Sequence, residues 1–188
     1  MKNCGFTEES AKQVEKAYHE LYAVSDAWVL SHINQAKIDG YVTGAFGLRV
    51  RTPMLLGAGS KLTNLQAAES RTAGNALGQG WGLLNNRAMN AVLKRVDEAG
   101  LTDSIYPIAA IHDACYYMIK NNAEIITWFN KVVTEEARWQ NHPDIAHPLV
   151  GLEGQLDLYF PSWATPLTLP EDLNQEELIN LCINHVKE

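Results

Sequence analysis

The sequence predicts an α+β fold, with an antiparallel sheet covered on one face by helices. Three observations carry this. Two apolar runs of strand length, IYPIAAI and ACYYMI, flank a single ionisable pair, His112-Asp113, as hairpin arms flank a turn. A second alternating stretch, GYVTGAFGLRVRTP, has turn-forming glycines at its centre. Around them lie long segments whose apolar residues recur close to the helical period.

Residues 6–40 read as helix. Val14, Ala17, Tyr18, Leu21, Tyr22, Trp28 and Val29 follow the helical period, Thr7-Glu8-Glu9 opens the segment, and Gly40 ends it. A short hairpin follows. Tyr41-Val42-Thr43 and Leu48-Arg49-Val50-Arg51 are strand-like, Gly44 and Gly47 supply the turn, and alternation puts Arg49 and Arg51 on one face. Pro53 closes it. Lys61 to Ala99 is helical again, broken near Gly78-Gln79-Gly80; Gly78, Gly80 and Gly82 suit a close approach of the backbone to something large. After the IYPIAAI–ACYYMI hairpin, Asn121-Asn122 stops the second strand and Ala123 to Trp139 forms an amphipathic helix. HPLVGLEGQLDLYF is strand-like, and LPEDLNQEELINLCINHV is a last helix opened by Pro170, Glu171 and Asp172. The tryptophans Trp28, Trp81, Trp128, Trp139 and Trp163 are scattered and read mostly as core.

At 188 residues the chain is one domain, or one lobe of something larger. It has no apolar run long enough to span a membrane, and MKNCGFTEES lacks the pattern of a signal peptide. Cys4, Cys115 and Cys182 are widely spaced and form no C-x-x-C, which reads as free thiols in a reducing cytosol. The net charge of −7 argues against a polyanionic partner, but its distribution reverses that. Between Ala36 and Val96 eight Lys/Arg stand against two acids, Asp39 and Glu69; the remainder has seven bases and twenty acids. A basic middle between acidic ends is a footprint for a polyanion, or a chance cluster on a solvated face. Charge alone favours the second.

Three groups of residues could carry chemistry. Asp113 sits in an otherwise apolar stretch, where a carboxylate costs several kcal/mol to bury unless a charge or metal compensates it. At a hairpin tip it could enter a cleft and bind Mg²⁺, which takes one or two protein carboxylates and completes its shell with water and phosphate oxygens. The competing reading is a turn aspartate capping its own backbone, the commoner case for a lone Asp. Arg71, Asn75 and Gln79 are spaced i, i+4, i+8 and share one helix face. Such a donor-rich row matches the acceptors that every base pair offers in a DNA minor groove, and it is equally a polar outer face. His142, Asp144 and His147 with His112-Asp113 suggest a His/Asp metal cluster of phosphohydrolase type, but Pro143 and Pro148 make that segment a loop.

Taken together and in order, three segments resemble the family A DNA polymerases, the group of bacterial DNA polymerase I and many phage replicases. GYVTGAFGLRVRTP resembles that family's Gly-Tyr-Val, Gly-x-Arg and proline stretch. AESRTAGNALGQGWGLLNNRAM resembles its Arg-x3-Asn-x3-Gln-Gly segment and the helix after it, and AAIHDACYY resembles motif C, an apolar strand, His-Asp and a second strand. The resemblance runs from about Phe6 to Trp163. It implies an antiparallel palm sheet with the motif C hairpin over residues 1–165, including the end of the fingers, and a C-terminal helical extension over 166–188. By the same resemblance Asp113 binds catalytic Mg²⁺, His112 contacts the primer strand near its 3′ end, and Arg71, Asn75 and Gln79 track the minor groove. Arg49 and Arg51 join the DNA-binding set.

The departures matter as much. The family usually has Glu after His-Asp; here it is Ala114. The motif A aspartate with Gln-Ile-Glu, and the fingers helix of Arg-x3-Lys-x6-7-Tyr-Gly type, occur nowhere in the chain. Nucleotidyl transfer needs two metal ions about 3.5–4 Å apart, which one aspartate does not hold. The resemblance therefore implies the C-terminal palm portion of a split or truncated, phage-type polymerase, acting in the cytoplasm, or the host cytoplasm if phage-encoded. Its partners would be primer-template DNA, dNTP and a second chain carrying motif A and the fingers, without which it would be inactive. The alternative is a non-catalytic DNA-binding relic or accessory module.

Overall fold

The computed structural model describes residues 5–160 and 162–186, with Trp81 described by its backbone alone. The class is α+β, and the strands form three antiparallel pairs. The chain divides into two compact units, Met1–Gly80 and Trp81–Glu188.

In unit 1 the expected N-terminal helix is two. Helix α1 (Glu8–Leu21) starts at Thr7, whose hydroxyl accepts from the Ser10 amide, and ends where Tyr22 leaves helical geometry at φ −104°, ψ 25°. Helix α2 (Ala23–Asp39) continues to Gly40, whose positive φ of 75° ends it as the sequence requires. A 2.6 Å contact between His19 Nδ1 and Asp26 Oδ2 spans the break. Strands β1 (Tyr41–Thr43) and β2 (Arg49–Arg51) pair with Val42 opposite Val50, joined through a 3₁₀ turn at Ala45–Gly47. Helix α3 (Asn64–Gly78) opens with a reciprocal cap between Thr63 and Gln66. Ile33, Ala36, Val42, Leu55, Ala73 and Leu77 close over one another as the core of this unit. Fully burying a side chain such as Leu55 contributes about 1.5–3 kcal/mol. Glu69 accepts a 2.7 Å bond from the Leu55 amide, tying the loop after β2 to α3.

In unit 2, helix α4 (Gly80–Glu98) runs from the break at Gln79. Of the three glycines there, Gly80 alone makes a close approach: an added Cβ would lie 3.2 Å from Ala45 in unit 1's own turn, whereas Gly78 and Gly82 face open space. The hairpin β3 (Ile105–Ile111) and β4 (Ala114–Ile119) has the boundaries read from the sequence, and α5 (Ala123–Ala137) follows, capped by Asn122. Val92, Val96, Ile105, Phe129 and Val132 form its core, with Tyr117 edge-on to Phe129 at 5.0 Å. Strand β5 (Asp157–Tyr159) is all that forms of the expected HPLVGLEGQLDLYF strand. Before it, the Gln140 amide donates to the Ile145 and Val150 carbonyls and accepts from the Leu152 amide, so a side chain satisfies backbone that a partner strand would otherwise have to. Strand β6 (Pro166–Thr168) was not legible, being three residues opened by proline; it pairs with β5 ahead of α6 (Gln175–His185). Leu169, Leu173 and Leu178 pack there with Ile126 and Leu156.

The tryptophans are less buried than expected. Trp28 is 47% and Trp163 65% exposed, while Trp128 and Trp139 are half-buried; the Trp81 side chain lies outside what is described. Cys115 and Cys182 are free thiols, and Cys4 also falls outside the described residues.

Candidate functional site

Strands β3 and β4 are joined by two residues only, with Ile111 opposite Ala114, so His112 and Asp113 are the whole turn. His112 has a positive φ of 55°, the conformation that tight hairpin turns demand at their first central residue and glycine meets most easily. A histidine held there stores backbone strain of about 1–2 kcal/mol. The turn also settles the charge problem posed by the sequence. Asp113 is not buried with its apolar neighbours; both tip side chains are exposed, and neither has a hydrogen-bond or ion-pair partner among the described residues. The carboxylate is held out of the sheet without compensation because it needs none.

Asp113 borders a cavity of about 1340 Å³ inside unit 2, walled by β4, α4, α5, α6 and the segment through β5. The hairpin wall is neutral at ordinary pH. Burial pushes the Cys115 thiol up, only partly offset by its 3.3 Å bond to Asn85 Oδ1. Burial, and then the neighbouring Cys115, push the Tyr117 phenol further above its usual range. One carboxylate with free lone pairs fits a place in a Mg²⁺ shell, which is otherwise filled by water and phosphate oxygens. Among the described residues no group of three His, Cys, Asp or Glu side chains comes together around a metal-sized site. In the 142–147 loop, His142 Nδ1 accepts from the Asp144 amide, and His147 Nδ1 accepts from the Leu149 and Val150 amides, so these rings cap turns.

The arginines of unit 1 occupy two surfaces. On the hairpin, Val42 and Val50 turn to the core, so Arg49 and Arg51 face out, and the Arg49 guanidinium lies 4.7 Å over the Tyr41 ring. Tyr41 was not singled out in the sequence, although its place opposite Arg51 in an alternating hairpin was the available signal. On α3, Ala73 and Leu77 are buried. Arg71, Asn75 and Gln79 are offset from them by two positions, about 200° around the helix, and all three are exposed. Gln79 itself sits at the C-cap.

The basic span is smaller than the count of eight cations suggested. Arg87 pairs with Glu136 at 2.9 Å, donates to the Glu136 carbonyl and lies 4.2 Å over the Trp139 ring. Arg95 pairs with Glu135 at 2.7 Å, and that bond holds its pKa above the usual guanidinium value. Lys94 lies 3.7 Å from Glu98. Arg87 and Arg95 serve unit 2's own packing and Lys94 faces solvent beside Glu98, leaving Lys37, Arg49, Arg51, Lys61 and Arg71 in unit 1.

The fold is polymerase-like. Among solved structures, the chain is similar to the POL domain of Pol1 from M. smegmatis, a structure in complex with DNA primer-template and dNTP. The TM-score is 0.61 at 22% identity, covering 81% of this chain and 25% of that one, so the chain spans about a quarter of that protein's length. No family model matches the sequence, and neither does any curated protein.

Proposed function

We propose that this chain is the C-terminal palm portion of a family A-type DNA polymerase, of phage type and split or cut from the rest. In this reading residues 1–165 are the palm with the end of the fingers, and 166–188 an extension. The observation that carries it is the exposed, unpartnered Asp113 carboxylate on a two-residue turn with a strained histidine beside it. A non-glycine residue held at positive φ beside a carboxylate presented to solvent is the kind of strained point that functional tips show.

Asp113 would be one carboxylate ligand of Mg²⁺, and the ion would supply positive charge against the phosphate oxygens in nucleotidyl transfer. His112, projecting from the same turn, contacts the primer strand near its 3′ end. Arg71, Asn75 and Gln79 follow the minor groove without reading sequence, and Arg49 and Arg51 hold backbone phosphate. A second chain supplies the missing motif A aspartate and the fingers that grip dNTP; alone, this chain is inactive. The site of action is the cytoplasm, or that of the host if the chain is phage-encoded; no described helix is long and apolar enough to cross a membrane.

A second reading, a non-catalytic duplex-binding relic or accessory module, is favoured by one observation: Ala114 stands where the family usually has Glu. Primer extension separates the two. With Mg²⁺ and four dNTPs, the proposal expects silence from this chain alone, extension when a chain with motif A and fingers is added, and loss with Asp113→Ala. Silence in every mixture with duplex still bound supports the relic. Extension by this chain alone overturns the split-site account.

A further inference from the structure

The loop between β5 and β6 holds a tryptophan against rings from two strands of unit 2. Trp163 stacks on Tyr159 of β5 at 5.5 Å and 26°, and on Tyr116 of β4 at 5.2 Å and 16°. Centroid separations of that size between near-parallel rings are those of offset stacks. The loop is fixed as well as the rings. The Ala164 amide donates to the Ser162 hydroxyl, and His185 Nε2 on α6 donates to the Thr165 carbonyl at 3.1 Å. Trp163 is nevertheless 65% exposed, so a positioned indole is presented rather than buried.

A carboxylate stands beside these rings. Asp157 lies two residues before Tyr159, on the same face of β5 and about 7 Å along it. Thr168, opposite Asp157 in β6, donates to Asp157 Oδ1 at 2.7 Å, and Gln155 meets the same oxygen at 3.5 Å. These bonds orient the carboxylate and leave Oδ2 for a further donor. Tyr116, Tyr159, Trp163 and Asp157 all line the unit 2 cavity. Ring faces carry negative potential, so rings and carboxylate together favour a cation and repel phosphate. That argues against a stacked nucleic-acid strand, which needs a positively charged groove. Unit 2 itself shows the kind of cation that satisfies both a ring and a carboxylate: Arg87 lies 4.2 Å over the Trp139 ring and pairs with Glu136 at 2.9 Å. A guanidinium does this because it is flat, weakly hydrated and donates in its own plane, whereas an ammonium is compact and strongly hydrated.

We propose that the Tyr159–Trp163 ring pair and Asp157 form a binding site for a guanidinium group, carried by an arginine of a partner polypeptide or by a free guanidino compound. The guanidinium plane stacks on the rings, an in-plane N–H donates to Asp157 Oδ2, and the aliphatic stem lies along the cavity wall. The site uses neither Asp113 nor the arginines of unit 1, so it stands whether or not the polymerase reading does.

The test titrates acetyl-Gly-Arg-Gly-amide with the full chain and follows the peptide by NMR. Stacking is expected to move the arginine Cδ protons upfield. The lysine peptide should bind about fivefold more weakly, and the citrulline peptide, flat but neutral, about tenfold more weakly. Asp157→Asn, which keeps an acceptor for Thr168, should weaken arginine binding about fivefold, and Trp163→Ala should do the same and remove the upfield shift. Because Trp163 also packs its loop, the three-peptide series on the unaltered chain is the control that no misfolded variant can mimic. Arginine amide binding as tightly as the peptide assigns the site to free guanidino compounds, and tighter binding of the peptide assigns it to a polypeptide; both support the site. Equal binding of the arginine and citrulline peptides, an upfield shift that survives Trp163→Ala, or no shift at millimolar peptide overturns the proposal. So does an arginine of the chain itself whose Cδ protons are already shifted upfield and are released by Trp163→Ala, which would make the occupant internal.

Discussion

Hairpin β1–β2 and hairpin β3–β4 place charge in opposite ways. In the first, alternation does the work: Val42 and Val50 turn inward, which obliges Arg49 and Arg51 to face solvent, with Tyr41 beneath one of them. In the second the strands carry no charge, and the ionisable residues are confined to the turn. A strand gives a row of side chains at fixed spacing, which suits a repeating polyanion. A two-residue turn gives one point, held clear of the sheet by a backbone conformation that histidine adopts at some cost. One hairpin presents charge along a length and the other at a single position.

The largest effect should come at the point. Asp113→Ala in the reconstituted mixture is expected to lower extension about 10³-fold or more if Asp113 is the Mg²⁺ ligand proposed above. The melting temperature should not move, because Asp113 is exposed and has no partner among the described residues. A large loss of stability would show that the tip is structural and break the contrast.

Arginines of the two units should then separate. Arg87→Ala loses the Glu136 pair, a bond to backbone and the Trp139 stacking, and should cost about 1.5–3 kcal/mol in chemical denaturation. Arg49→Ala should cost less than about 0.5 kcal/mol and weaken duplex binding instead. Equal stability losses would mean that Arg49 is also a packing residue.

A smaller effect tests the turn itself. Replacing His112 by Gly removes the strain at φ 55° but loosens the unfolded chain, so a net stabilisation of about 0.5 kcal/mol is expected, with extension falling. Destabilisation would show that the ring holds the hairpin together.

The smallest effect concerns pH. Cys115 and Tyr117 both have folded pKa values raised above their ordinary 9.0 and 10.0, so the folded state holds protons that the unfolded state releases. Stability is therefore full below pH 9 and declines as pH rises through the raised values. Urea midpoints measured from pH 7 to 11 should fall from about pH 9 upward. Cys115→Ala should reduce the earlier part of the decline, the rest of which belongs to Cys182, whose thiol burial also pushes up.

Much of this was legible because short-range rules governed it. The β3–β4 boundaries followed from two apolar runs around His112-Asp113, the end of α2 from Gly40, and the α3–α4 break from Gly78-Gln79-Gly80. The shared face of Arg71, Asn75 and Gln79 followed from their i, i+4, i+8 spacing. What stayed hidden depended on contacts distant in sequence. Arg87 and Arg95 looked like part of a polyanion footprint until Glu135 and Glu136, some forty residues on, were seen to take them. Residues 147–156 looked like strand because Gln140's role in satisfying the backbone of Val150 and Leu152 has no signature in composition. In the sequence Asp113 reads as a hairpin-tip residue, in a cleft or capping its own turn; the structure exposes it with no such cap among the described residues, and a two-residue turn presents its tip whatever surrounds it.

The separation of roles is tested most directly by the affinity of the intact chain for a primer-template duplex, measured as a function of salt. The account predicts a steep decline of log K with log salt, with a slope shallower by about 2 in Arg49→Ala/Arg51→Ala and unchanged in Asp113→Ala. A slope indifferent to the two arginines, or binding lost with Asp113→Ala, would contradict it.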